Sequence, residues 1–246
     1  MQRIVPLALL ASLAACATDQ PVAPSSTSAD ASAAVASTSG YLYDVTITNL
    51  TSGQPMSPAI VVTHGPRARL FTVGGTASAG IQAIAESGDP SVAYGMFVGA
   101  PGVLDVVATG APVHRIGGPG PNTLTLQITG DAEKRLLSLA TMLICTNDGF
   151  TGVSGIALPM DATPVTVYAQ AYDAGTERNS ELDGDIVPPC FGIGPTTGNG
   201  GGGRTAEQQR IRMHPGIDGP RALSAPLNGW TGPVAMVTIQ RVATVN

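Results

Sequence analysis

The sequence predicts an all-β protein: a two-sheet antiparallel sandwich with one or two short helices and a long Gly/Pro-rich loop. Three observations carry this. Gly and Pro together exceed a fifth of the 246 residues (31 Gly, 20 Pro), so turns are frequent. Charged residues make up only 12% of the chain, too few for the Glu- and Lys-rich surface of a helical bundle or coiled coil. Between the turn signals lie about eight or nine short β-branched runs, the spacing of a sandwich. An ordinary apolar fraction (43%) and a formal net charge of -5 argue against a disordered chain. Lys134 is the only lysine among 12 basic residues. No basic stripe exists to neutralise phosphates, which argues against nucleic acid as a partner.

Residues 1–15 read as a signal segment, with Arg3 followed by an apolar stretch over 4–13. That stretch is too short to cross a bilayer, which takes about 20 apolar residues. Leu13-Ala14-Ala15-Cys16 follows and resembles a bacterial lipobox. The resemblance implies cleavage before Cys16, acylation of that cysteine and stable membrane attachment through several acyl chains. A plain secretion signal with an incidental cysteine is the alternative. Ala17 stands where an inner-membrane retention signal would have Asp, so an outer-membrane lipoprotein of the cell envelope is expected. Residues 16–40 are the lipidated cysteine and a tether dominated by Ala, Ser, Thr and Pro with no aromatic residue. Such a composition buries too little to offset ordering, and as a coil it reaches on the order of 25–30 Å.

Residues 41–246 form the expected sandwich domain. Strands are predicted over 41–50, where apolar and polar residues alternate, and at 59–63, 68–73, 103–107, 123–128, 153–158, 165–172 and 233–242. The run 136–145 is apolar enough for a buried strand, with a helix start as the alternative. Residues 78–86 place Ile81, Ile84 and Ala85 at helical spacing and predict a short helix; a loop or further helical turn follows over 89–94. The stretch 188–204 is so rich in Gly and Pro that a long loop is expected, unstructured at 200–203.

Two segments carry a family resemblance. Met142-Leu143 precedes Asn147-Asp148-Gly149-Phe150-Thr151-Gly152-Val153, and Tyr172-Asp173-Ala174-Gly175-Thr176-Glu177 follows about twenty residues later. Order, spacing and the preceding strands resemble the spondin N-terminal domain, whose animal members carry "SPDWxxGV" and "WDAGTDSG" segments. His214-Pro215-Gly216-Ile217 is similar to bacterial members of that family. Asn147 to Phe150 and Tyr172 depart from the family's Pro-Asp-Trp and Trp, which touches the aromatic positions and leaves the acids. The resemblance implies a C2-like sandwich with calcium held by loops at one end. It assigns Asp148, Asp173 and Glu177 as metal ligands, with Glu177 standing where the family has Asp. Their chemistry suits this, because Ca²⁺ takes six to eight oxygens from carboxylates and carbonyls on loops. On the residues alone, Asn-Asp-Gly and Asp-Ala-Gly are also ordinary turns. Asp183 and Asp185 are possible additions, although Asp-Gly-Asp is most simply a solvated turn.

Cys145 and Cys190 are the thiols left once Cys16 is lipidated. In an oxidising compartment they are expected to pair, with a buried free thiol at Cys145 as the alternative. Catalysis has little support. His64, His114 and His214 show no metal-type spacing, no GxSxG elbow exists, and the glycines at 198–203 lack the Lys-Ser/Thr of a phosphate loop. The expected protein is therefore not an enzyme. It is an envelope-anchored, calcium-binding recognition or adhesion module for a protein or glycan ligand. The rival readings are a secreted metal-dependent hydrolase and a purely structural envelope lipoprotein.

Overall fold

Alternation along the first strand sets one face of the architecture. In the computed structural model, which describes residues 40–245, β1 (Gly40–Asn49) buries Tyr43, Val45, Ile47 and Asn49. The signal segment, Cys16 and the tether up to residue 39 lie outside the described residues. β1 is flanked by β4 (Thr123–Gly130) and β10 (Ala235–Val245), and β7 (Val165–Ala169) completes a four-stranded antiparallel sheet in the order β4-β1-β10-β7. Its outer face is largely hydroxylic. Thr125, Thr46, Thr238 and Thr166 stand in register across all four strands.

The second sheet has the order β3-β2-β5-β6-β8-β9. Its members are β2 (Ile60–His64), β3 (Val103–Ala108), β5 (Leu136–Met142), β6 (Gly149–Ala157), β8 (Ala171–Asp173) and β9 (Arg212–Met213). Unlike β1, β2 is buried at every residue and β5 at all but its first. The reason is that this sheet is covered on both faces, where strands lose their alternation. Val61, Leu137 and Leu139 face Val45, Ile47, Val237 and Ile239 between the sheets. Ile60, Val62 and Ala140 instead pack against Ile81 and Ile84 of α1 (Ala79–Ser87) and Ala93 of α2 (Ser91–Phe97). Ser78 caps α1 by accepting the Ile81 N–H, and Gly88 ends it in the left-handed region at φ 67°. The sandwich thus carries a third, helical layer.

Three local expectations are corrected. The run 165–172, read as one strand, is divided at Gln170: β7 belongs to the first sheet and β8 to the second. One extended segment therefore passes between the layers. The run 68–73 forms no strand. Leu70 and Phe71 turn inward instead, Phe71 meeting Phe150 edge-on at 5.1 Å, and the chain reverses where Gly75 donates to Thr72 O. The stretch 188–204 holds a short helix, α3 (Pro189–Ile193), and its glycines are tied down. Gly201 and Gly202 donate to Ile186 O and Gly203 donates to Gly184 O.

Register assigns the strand ends to two poles. Gly40, Gly130, His64, Val103, Leu136 and Ala157 lie at the pole where the described chain begins. Asn49, Thr123, Ala235, Ala169, Ile60, Met142 and Gly149 lie toward the far pole. Both acidic motifs fall at that far pole.

Gly152 is where the β5–β6 pairing depends most on a missing side chain. A Cβ there would stand 2.0 Å from Leu139 O, a backbone atom in a strand buried on both faces. Gly152→Ala should therefore cost about 3 kcal/mol or more, read as a lower urea midpoint at unchanged m-value, whereas Gly95→Ala, with open space around it, should not.

Candidate metal centre

The β5–β6 connection is a tight turn organised by Thr146. Its hydroxyl donates to Leu143 O (2.6 Å) and accepts from Gly149 N–H (2.8 Å), while Leu143 N–H donates to Gly149 O (2.8 Å). This turn holds Asp148 at the start of β6, fully buried. Asp148 then captures the segment that follows β8. Its Oδ2 accepts from the backbone N–H of Thr176 (2.8 Å) and Glu177 (3.0 Å) and from the Thr176 hydroxyl (3.3 Å). Gly175 permits the bend with φ 71°, and a Cβ there would lie 2.7 Å from the Gln209 backbone.

Asp173 ends β8, equally buried. Its Oδ1 accepts from Gly175 N–H (2.8 Å), and its Oδ2 accepts from Asn179 Nδ2 (2.8 Å) and from Arg212 Nη2 (2.9 Å) on β9. Glu177 is 1% exposed and sits beside Asp148. Arg204 approaches this region from the Gly-rich segment, but its guanidinium is spent on the Glu86 carboxylate, Glu86 O and the Ser87 hydroxyl.

Two carboxylate oxygens are left over. Asp148 Oδ1 and Glu177 Oε1 are buried and have no hydrogen-bond partner among the described residues. Burial drives the Asp148 carboxyl up from 3.8 to about 6, with the Asp173 charge adding to it and the backbone donors of Glu177 and Thr176 opposing it. Burial likewise drives Glu177 from 4.5 to about 8, with Glu86 adding and Arg204 opposing. Nearby, His214 Nδ1 accepts from Gly216 N–H (3.1 Å), its Nε2 is buried without a partner among the described residues, and its ring packs edge-on against Trp230. Burial lowers His214 to about 4 against the pull of Asp173.

The sequence-predicted ligands are thus gathered at one pole with unequal roles. Asp148 and Glu177 each keep one buried oxygen without a hydrogen bond among the described residues, whereas both oxygens of Asp173 are already hydrogen bonded. Among the described residues, no group of three or more His, Cys, Asp or Glu side chains is arranged to hold a metal by itself. A cation here would need backbone carbonyls or water to complete its shell. Asp183 lies in the turn joined to Asn199 N–H, and Asp185 accepts from the Ser180 hydroxyl (2.5 Å). Cys145 and Cys190 are bonded, with Cα atoms 4.9 Å apart. This fastens the turn carrying Asp148 to α3. Gln54 supports the same turn, accepting from Cys145 N–H (2.9 Å) and donating to Cys145 O (3.0 Å) and Asn228 O (2.7 Å).

A model of the spondin N-terminal domain family (Spondin_N) matches residues 49–182, more than half of the chain and the span containing both acidic motifs. The chain belongs to the spondin N-terminal domain family. No curated protein matches it. The matched span of this spondin domain ends before Arg204, Arg212 and His214. Arg204 and Arg212 were not signalled by sequence as partners of the acids, since Asp173 and Arg212 are 39 positions apart and Glu86 and Arg204 are 118 apart; His214 was signalled only through the resemblance of the 214–217 segment.

The raised carboxyls make a signed prediction for the metal-free spondin domain. A group whose folded pKa lies above its unfolded value stabilises fully at low pH and loses that contribution as pH rises through the folded value. Asp148 loses its share between about 4 and 6, and Glu177 between about 4.5 and 8. His214, lowered to about 4, acts oppositely, adding stability as pH climbs to 6.5. In chelator, thermal midpoints should therefore fall between pH 6.5 and 8, and Glu177→Gln should flatten that fall. An unchanged slope in the variant would contradict the assignment.

Proposed function

We propose that this spondin domain is a non-catalytic recognition or adhesion module of the bacterial cell envelope, anchored through lipidated Cys16. Its far pole is set by a calcium ion. The observation that carries the metal reading is the pair of buried, unpartnered oxygens, Asp148 Oδ1 and Glu177 Oε1. Buried carboxylates without donors are costly unless a cation compensates them. Asp148 and Glu177 would hold the ion. Asp173 would act as a positioning residue, itself fixed by Arg212 and Asn179. A divalent cation would supply the positive charge that the backbone and hydroxyl donors to Asp148 lack.

The binding reading rests on family membership and on what the far pole could present. The turn at Asp148, the segment after Asp173 and α3 are already cross-linked by the disulfide and by Asp148 itself. A surface ordered in advance binds a protein or glycan at lower entropic cost. Against hydrolysis stands the histidine chemistry of the described residues. His64 Nε2 lies 2.7 Å from Ser138 Oγ, but both residues are fully buried. The His64 Nδ1 is committed to Gly65 O, and Ser138 Oγ also accepts from Gly155 N–H, so the pair braces β2 against β5 and β6.

Calcium at about 100 times its dissociation constant should add about 2.7 kcal/mol to the stability of the spondin domain. The measurement is thermal unfolding in chelator and then with Ca²⁺, Mg²⁺ or Zn²⁺ added. Ca²⁺ is expected to raise the midpoint most, and Asp148→Asn with Glu177→Gln should remove the rise. An equal calcium shift in that double variant, or no shift in the parent protein, sinks the metal reading.

A further inference from the structure

The least expected surface lies at the pole opposite the acids. Between Asp89 and Asp105 runs a stretch of 15 residues without a charge, spanning α2 and the turn into β3. Within it Val92, Tyr94, Met96, Val98 and Leu104 are 39–52% exposed, five of the thirteen exposed large apolar residues among those described. In α2 only Ala93 is buried. The segment after α2, with Gly99, Pro101 and Gly102 exposed, forms an apolar tip. An uncharged stretch with this many exposed apolar side chains is a candidate contact surface.

Position identifies the occupant. Gly102 O accepts from Gly65 N–H (2.8 Å), and Asp105 Oδ2 accepts from Thr129 N–H (2.9 Å) and the Thr129 hydroxyl (2.8 Å). Thr129 pairs with Leu42, two residues into the described chain. The tip and the point where the chain leaves toward Cys16 therefore share one pole. Beside the tip, two residues after Gly65, Arg67 is exposed and forms no ion pair among the described residues. We propose that the apolar tip of α2 and the α2–β3 turn docks on the lipid surface to which the chain is anchored, with Met96, Val98 and Leu104 in the interface and Arg67 at the headgroups. This rests on the lipid-anchor reading.

Such docking is chemically balanced. Tyr94 suits the interfacial layer, the aliphatic side chains enter the acyl boundary, and Arg67 faces anionic headgroups. A single weak apolar contact does not hold a protein on a bilayer, but next to an anchor it fixes orientation. The acidic far pole then faces away from the lipid.

The test uses residues 17–246 with an N-terminal hexahistidine on phosphatidylcholine/phosphatidylglycerol vesicles containing nickel-chelating lipid, so attachment is independent of Cys16. Spin labels at Val98→Cys and, away from the tip, at Leu227→Cys report depth through oxygen and water-soluble nickel relaxation. The expected result is a label at 98 shielded from the aqueous relaxer and enriched in oxygen, and one at 227 left in water. Met96→Ser with Leu104→Ser should restore water access at 98 and, in the untethered chain, weaken vesicle affinity about tenfold or more at unchanged thermal midpoint. Equal water access at both positions overturns the proposal. So does spin–spin broadening at 98 without vesicles, which would mean that a second copy covers the tip. Flotation of the natively expressed chain with envelope membranes, lost in Cys16→Ser, reads the anchor separately.

Discussion

Removing carboxylates from water is the constraint around which the far pole is organised. Asp148, Asp173 and Glu177 are each no more than 1% exposed, and every one needs compensation. Asp173 is compensated by Arg212, Asn179 and Gly175. Asp148 is compensated on one oxygen by the two backbone donors of Thr176 and Glu177. Those bonds are also what close the segment after β8 onto the β5–β6 turn. The geometry of the pole and the burial of its acids are therefore one arrangement. What remains uncompensated, one oxygen each on Asp148 and Glu177, is what a cation would satisfy.

The six-stranded sheet transmits this order through the molecule. It is covered on one face by the four-stranded sheet and on the other by α1 and α2, so Ile60 and Val61 on one strand serve opposite cores. A sheet held on both faces gives little at either end. The segment carrying Asp173 gains from this twice. It begins as β7 in the first sheet and ends as β8 in the second, binding the layers together just before it delivers its carboxylate.

The two poles differ in chemistry because different loops return to them. The far pole collects the β5–β6 turn, the segment after β8, and the Gly-rich stretch, which brings Arg204 to Glu86 and Cys190 to Cys145. The other pole collects the uncharged turn into β3, the β4–β5 turn with Asp131, Glu133 and Lys134, and the start of β1.

Much of this was legible in the residues. Period-two alternation gave β1 and β4, helical spacing gave α1, and Asn-Asp-Gly and Asp-Ala-Gly marked acids at strand ends, because each signal depends on neighbours within a few positions. The division at Gln170 was hidden, since both halves have the same extended pattern and only pairing partners distinguish them. So was the order of the Gly-rich segment, whose amides are satisfied by Ile186 and Gly184 and not by any periodic feature. The sequence by itself determined the fold class, the family and which acids gather at one pole. Tertiary structure alone decided that Asp173 is taken by Arg212 while Asp148 and Glu177 keep an oxygen free. Composition and spacing report local preference, whereas the partner of a buried charge is chosen by chain closure across tens of residues.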